Sequence, residues 1–255
     1  MKDPQDSSAS FCKQWTMGCT LAVMTFAQAA VAGSATWSST NIQYLSGSKY
    51  KVGDETRSII TLEHVNAWKY GDNFFFVDIT NPDRKGTATS TGFYGEISPR
   101  LSLSSLSGKK MSAGLIKDVL ITTTAEIGQG FQNYLYGLAV DLAIPNVPVF
   151  QINYYVRNEI TAPTELGSQV TLVWLAPFNV GGTSWSFEGF LDYAFGNDPS
   201  EDNLLTGPRL LLDVGKFVGA EGQLQAGVEY QYWSNKFGIK NVDEKVAQAM
   251  VKWIW

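Results

Sequence analysis

Alternate residues of Gly92–Leu103 suit different surroundings. The odd positions Phe93, Ile97, Leu101 and Leu103 are apolar, and the even ones, Tyr94, Glu96, Ser98, Arg100 and Ser102, form hydrogen bonds. Successive side chains of a strand point to opposite faces, so this segment has one apolar face and one polar, charged face. Two folds accept such a strand. A soluble sandwich buries the apolar face and wets the other, whereas a membrane barrel turns the apolar face to lipid and the polar face to a wet lumen. The choice depends on whether the rest of the chain repeats the pattern, and on where the chain is sent.

The pattern does repeat. In Arg57–Tyr70, Ile60, Leu62, Trp68 and Tyr70 share a face opposite Arg57, Thr61, Glu63 and Lys69. Phe74–Thr80 sets Phe74, Phe76 and Asp78 against Phe75, Val77 and Ile79, and a one-residue slip would exchange those faces. Val119–Ile127 and Tyr134–Leu142 flank a Gly128-Gln129-Gly130 link. Phe150–Arg157, Gln169–Ala176 (ended by Pro177), Trp185–Phe195, Arg209–Val214 and Leu224–Trp233 follow, with Trp37–Leu45 opening the series and Val246–Trp255 closing it. This predicts twelve strands in one all-β domain, a transmembrane antiparallel up-and-down barrel. An even count puts both termini on one side, as in bacterial outer-membrane barrels. Connections after odd strands, such as Asn81–Gly92, Asn158–Ser168 and Asn197–Pro208, are mostly long and charged, and those after even strands are mostly shorter and rich in glycine and proline.

The destination is read from the ends. Residues 1–32 have the form of a secretory signal peptide: Lys13 precedes the apolar run Trp15–Ala27, and Ala30-Val31-Ala32 is a cleavage site, with cleavage after Ala29 as the alternative. Both cysteines, Cys12 and Cys19, lie within it, so residues 33–255 hold no disulfide, thiolate nucleophile or thiolate metal site. No apolar run reaches the roughly 18 residues of a helical span. A net charge of −5 gives no electrostatic case for nucleic acid. The last strand places Val251, Trp253 and Trp255 at alternate positions. A terminal strand ending in an outward aromatic is what the outer-membrane insertion machinery usually receives, although phenylalanine is commoner there.

The order and spacing of several segments are similar to those of the nucleoside-specific outer-membrane channels, the Tsx-like barrels. The carriers are Leu62-Glu63, Phe74–Asp78, Glu96-Ile97-Ser98-Pro99-Arg100, Tyr134–Asp141, Asn153-Tyr154-Tyr155, Gly189–Gly196 and Tyr232-Trp233. The resemblance implies a monomeric twelve-stranded barrel with a narrow lumen that passes nucleosides, in a family whose members can also serve as phage or colicin receptors. In the first hairpin the chain departs from the family, with Val52-Gly53 where an aromatic often precedes the glycine. Tyr50 is the candidate substitute.

A nucleoside offers a flat base and a hydroxyl-rich sugar. Strand parity places suitable side chains inside: Phe74, Phe76, Tyr94, Tyr155 and Trp233 to stack, and Glu96, Arg100, Asn153, Arg157, Asp192, Glu229 and Gln231 to hydrogen-bond. Glu63 and Asp141 share that face. Ionised lumen residues can instead pair with one another, and Glu96 and Arg100, roughly 13 Å apart along one strand, each need a partner on a neighbouring strand. Two alternatives stay open, a barrel enzyme acting on lipids and a closed structural or receptor barrel. Against the first, the single histidine, His64, falls on the lipid-facing set without a serine close behind it, and no cluster has metal-ligand spacing. No cofactor is expected. The acidic loop Asp198–Asp202 lacks a calcium-loop pattern and reads as an extracellular face near lipopolysaccharide headgroups.

Overall fold

A computed structural model describes residues 35–82, 92–161 and 165–255. The expected signal peptide and most of the predicted Asn81–Gly92 connection lie outside those residues. Twelve strands run in chain order: β1 (Ala35–Ser48), β2 (Thr56–Trp68), β3 (Gly71–Thr80), β4 (Gly92–Ser102), β5 (Ile116–Gly128), β6 (Phe131–Leu142), β7 (Val149–Glu159), β8 (Gly167–Val180), β9 (Thr183–Phe195), β10 in two segments (Asn203–Thr206 and Arg209–Asp213), β11 (Leu224–Ser234) and β12 (Glu244–Ile254). Each pairs antiparallel with the next, and β1 pairs with β12 from Asn41↔Ile254 to Gly47↔Gln248. The sheet is therefore closed, and a closed sheet leaves no row of unpaired backbone groups facing lipid.

Parity sorts the two faces as the alternation predicts. Ile97, Leu138 and Val251 are exposed on the outside, while Gln43, Gln248 and Met250 are buried inside. Trp253 and Trp255 point outward near the end that carries both termini. That end also carries the two-residue β2–β3 and β8–β9 turns, so it is called the turn end here, and the opposite end is the loop end. The β4–β5 and β10–β11 connections, residues 103–115 and 214–223, are the long ones at the turn end. The first includes a short helix, α1 (Leu103–Ser107), whose N-cap Ser102 accepts from Ser105 N.

The prolines depart from expectation. Pro177 does not end β8, which continues to Val180 paired with β9. Leu175 is the last residue of β8 paired with β7, so Pro177 lies where that edge is already free and a missing N–H removes no ladder bond. The predicted Asn197–Pro208 loop is likewise shorter. Asn203–Thr206 pairs with both β9 and β11, and only Gly207-Pro208 interrupts β10, with Thr206 Oγ1 donating to Phe190 O at 2.6 Å. In β4, Pro99 leaves a gap in the ladder to β5, which Thr124 spans by donating from Oγ1 to Ser98 Oγ at 2.9 Å.

The backbones of β6 and β7 approach closely at Gly137. A Cβ there would lie 1.9 Å from the carbonyl oxygen of Tyr154 on β7. The contact is with backbone, which has no rotamer to yield. Gly137→Val is expected to abolish the compact, heat-resistant barrel band on a denaturing gel run without boiling. A variant that migrates like the parent protein would show that the approach is not needed.

Candidate functional site

A cavity of about 1560 Å³ runs inside the barrel, lined by Gly53 and Gly238 at the loop end and by Leu142, Pro148 and Ile254 at the turn end. All twelve predicted site residues line it. The structure divides them between an aromatic and charged conduit and a packed sector of wall.

The conduit is built on β3 to β9. Phe74 and Phe76 face inward, while Phe75 faces out and stacks on His64, so the register with Phe74 inside is the one adopted. Phe74, Phe76, Tyr94 and Phe131 form one continuous run of rings, with successive centroids 5.8, 5.6 and 5.8 Å apart. Phe131 opens β6 at the loop end, and Phe74 lies near the turn end of β3, so the run follows the long axis of the barrel. Sequence reasoning missed Phe131 because it began that strand at Tyr134. Parity with Asn133 and Leu135 would have placed it inside.

Two arginines stiffen the conduit. Arg100 makes a two-pronged contact with Asp72 on β3 (2.8 and 2.7 Å) and reaches Asp141 on β6 at 2.8 Å. Arg157 on β7 pairs with Glu126 on β5 at 2.8 Å and with Glu159 at 3.0 Å, and donates to Gln169 at 2.8 Å. Glu126, also missed, stands directly across the ladder from Glu96. Glu96 does not find the expected partner on a neighbouring strand. Tyr94, two residues away on the same face, donates its hydroxyl to Glu96 at 2.5 Å. Tyr155 meets Thr122 at 2.9 Å, and Asp192 accepts from Thr171 at 2.5 Å. Asn153 donates to the Thr171 carbonyl at 3.3 Å.

Glu229, Gln231 and Trp233 border the cavity from β11 but have protein partners. Arg209 donates to Glu229 at 2.5 Å and lies 3.8 Å from both Glu188 on β9 and Glu63 on β2, a contact that crosses the lumen. Lys252 on β12 meets Glu188 at 2.6 Å. Leu45, Leu211 and Met250 close this sector with an apolar cluster. At the loop end Gln231 donates to Glu244, which also receives Lys236 at 2.7 Å, and the Lys236 ammonium sits 4.7 Å above the Trp233 ring. Tyr50, the first-hairpin aromatic, folds into the same mouth. Its hydroxyl donates to Gln248 at 2.5 Å, Arg57 covers its ring, and burial pushes its phenol above the ordinary tyrosine value. Arg209 meets Glu229 and Glu188 directly across the ladders, whereas Glu63 and the Lys252–Glu188 pair join strands that are not neighbours, which strand parity alone does not show.

His64 is on the outward face, as expected. Its Nδ1 contacts Thr40 Oγ1 at 2.7 Å and its Nε2 contacts Asn66 Nδ2 at 3.2 Å, and among the described residues no carboxylate or serine hydroxyl bonds to the ring.

A closed antiparallel barrel with an apolar outer band and a polar, aromatic-lined interior is the architecture of outer-membrane channels. The chain belongs to the family described as nucleoside-specific channel-forming protein, Tsx, whose sequence model matches residues 32–253. Two relatives named outer membrane protein OmpK, both from Vibrio parahaemolyticus, are 22% identical over 179 residues (68% of this chain, 67% of the relative) and 23% identical over 204 residues (75% and 76%). Among solved structures, a KdgM porin aligns with a TM-score of 0.49 at 10% identity, covering 84% of this chain and 98% of its own. The protein is thus an outer-membrane β-barrel of a channel family.

Proposed function

We propose that the protein is a passive channel that selects nucleosides, with no catalytic step. The observation that carries this reading is the run of four rings beside hydrogen-bonding side chains. Phe76, Tyr94 and Phe131 offer faces to a base, while Glu96, Asn153 and Tyr155 lie on the same lumen for ribose hydroxyls and base edges. Stacking is worth about 1–3 kcal/mol per base. A millimolar site requires only about 4 kcal/mol, so one or two stacks with a few hydrogen bonds suffice, and a weak site still lets the solute leave. The leader-like residues 1–32 and the outward Trp253 and Trp255 fit export and delivery to the insertion machinery.

Proteoliposomes carrying the purified barrel test this. Adenosine and thymidine are expected to leave faster than a hexose and to reduce single-channel current in a saturable way. If they permeate no faster than the sugar and leave the current untouched, the nucleoside reading fails. A conductance near zero would instead favour the closed receptor barrel.

A further inference from the structure

The charges of the lumen do not balance. Among the described residues, twelve aspartate and glutamate side chains line the cavity against seven of lysine and arginine, a difference of five. Most of the basic groups are already engaged by carboxylates: Arg100 by Asp72 and Asp141, Arg157 by Glu126 and Glu159, Arg209 by Glu229, Lys236 by Glu244 and Lys252 by Glu188. Among the described residues no lysine or arginine forms an ion pair with Asp78, Glu96 or Asp192. Asp78 and Asp192 are held by the hydroxyls of Thr61 and Thr171, and Glu96 by that of Tyr94. Glu96 stands directly across the ladder from Glu126, and Asp78, Glu96 and Asp192 all border the cavity.

A second observation is independent of these carboxylates. Asn153 is 2% exposed and lines the cavity, yet among the described residues its Oδ1 has no hydrogen-bond partner. Its cross-strand neighbour is Thr171, the residue that holds Asp192. A buried acceptor without a donor is costly, and a ligand that supplies an N–H or O–H relieves it. The rings of Phe76 and Tyr94 stand beside Glu96, and an aromatic face attracts a cation as well as a neutral base.

We propose that this part of the lumen favours flat cations. On the nucleoside reading above, it therefore prefers nucleosides whose base carries a positive charge over neutral ones of the same shape. Carboxylate rings in a narrow, low-dielectric passage raise the local concentration of cations. The rings accept a planar base, and Asn153 accepts from a donor on it.

The test is a pair of solutes that differ by one hydride. Nicotinamide riboside carries a cationic pyridinium, and its dihydro form is neutral and nearly the same shape. Proteoliposomes are loaded with each, with adenosine and a hexose run alongside. The cation is expected to leave several-fold faster than its neutral twin, and E96Q/D192N to bring the ratio close to one. Equal rates through the parent protein, or a ratio that E96Q/D192N leaves in place, would overturn the inference. Should the double variant fail to assemble, the reversal potential of D78N in a potassium chloride gradient decides: a shift away from potassium supports the proposal, and none overturns it. Adenosine no faster than the hexose would sink the nucleoside reading alone, since the cation ratio is read separately.

Discussion

Phe76→Ala combined with Tyr94→Ala is expected to raise the nucleoside concentration that half-blocks the channel current by about thirty-fold or more. The two rings lie 5.6 Å apart at the middle of the aromatic run. Stacking of about 1–3 kcal/mol per base makes the smallest combined loss about 2 kcal/mol, and each 1.4 kcal/mol is tenfold in affinity. Hexose flux should stay level or rise, because the passage widens without losing a sugar contact. Tyr94→Phe separates stacking from hydrogen bonding: it keeps the ring and removes only the bond to Glu96, so its half-blocking concentration should shift far less than that of the double variant. Titration of single-channel current with adenosine measures all three proteins. A double variant with the parent's half-block would remove the aromatic run from the mechanism.

The second large effect concerns the loop-end mouth. Lys236 and Glu244 are 1% and 0% exposed, and the ammonium donates to both carboxylate oxygens at 2.8 and 2.7 Å. Burial lowers the Lys236 pKa from the ordinary lysine value more than Glu244 raises it. A pair of that kind adds little net stability, but leaving one partner alone strands a buried charge, at about 3–5 kcal/mol. Lys236→Met should therefore lower the unfolding temperature sharply and free the β11–β12 loop to proteolysis, with a noisier open channel. K236M/E244Q should recover most of that loss. Heat-induced mobility shift, limited proteolysis and bilayer recordings report the three effects. If the double variant is as damaged as the single one, the stranded-charge account is wrong. The lowered pKa also has a signed consequence. Between the folded value and the ordinary lysine value the unfolded chain holds the extra proton, so raising the pH through that alkaline window favours the folded state at this residue.

What could be read in advance was whatever depends on period two. The twelve predicted lumen residues all face the cavity because each strand shows two chemically distinct faces, and a closed sheet has only an inside and an outside. His64 and Phe75 fell outward by the same rule. Strand ends were less legible, because a proline marks a break only where its N–H would have met a neighbour. At Pro177 the neighbouring strand had already finished.

The sequence by itself determined the class of the fold, the face on which each strand residue lies, and the aromatic and ionised character of the interior. Tertiary structure alone decided which of those inward groups meet. It set Arg209 against Glu63 across the barrel, gave Gln231, Glu229 and Trp233 to the packed sector, and gave Asp78, Glu96 and Asp192 hydroxyl partners. The reason is physical. Alternation is a property of a single strand, whereas ion pairing across a lumen depends on curvature, register and loop placement, which appear only when the barrel closes.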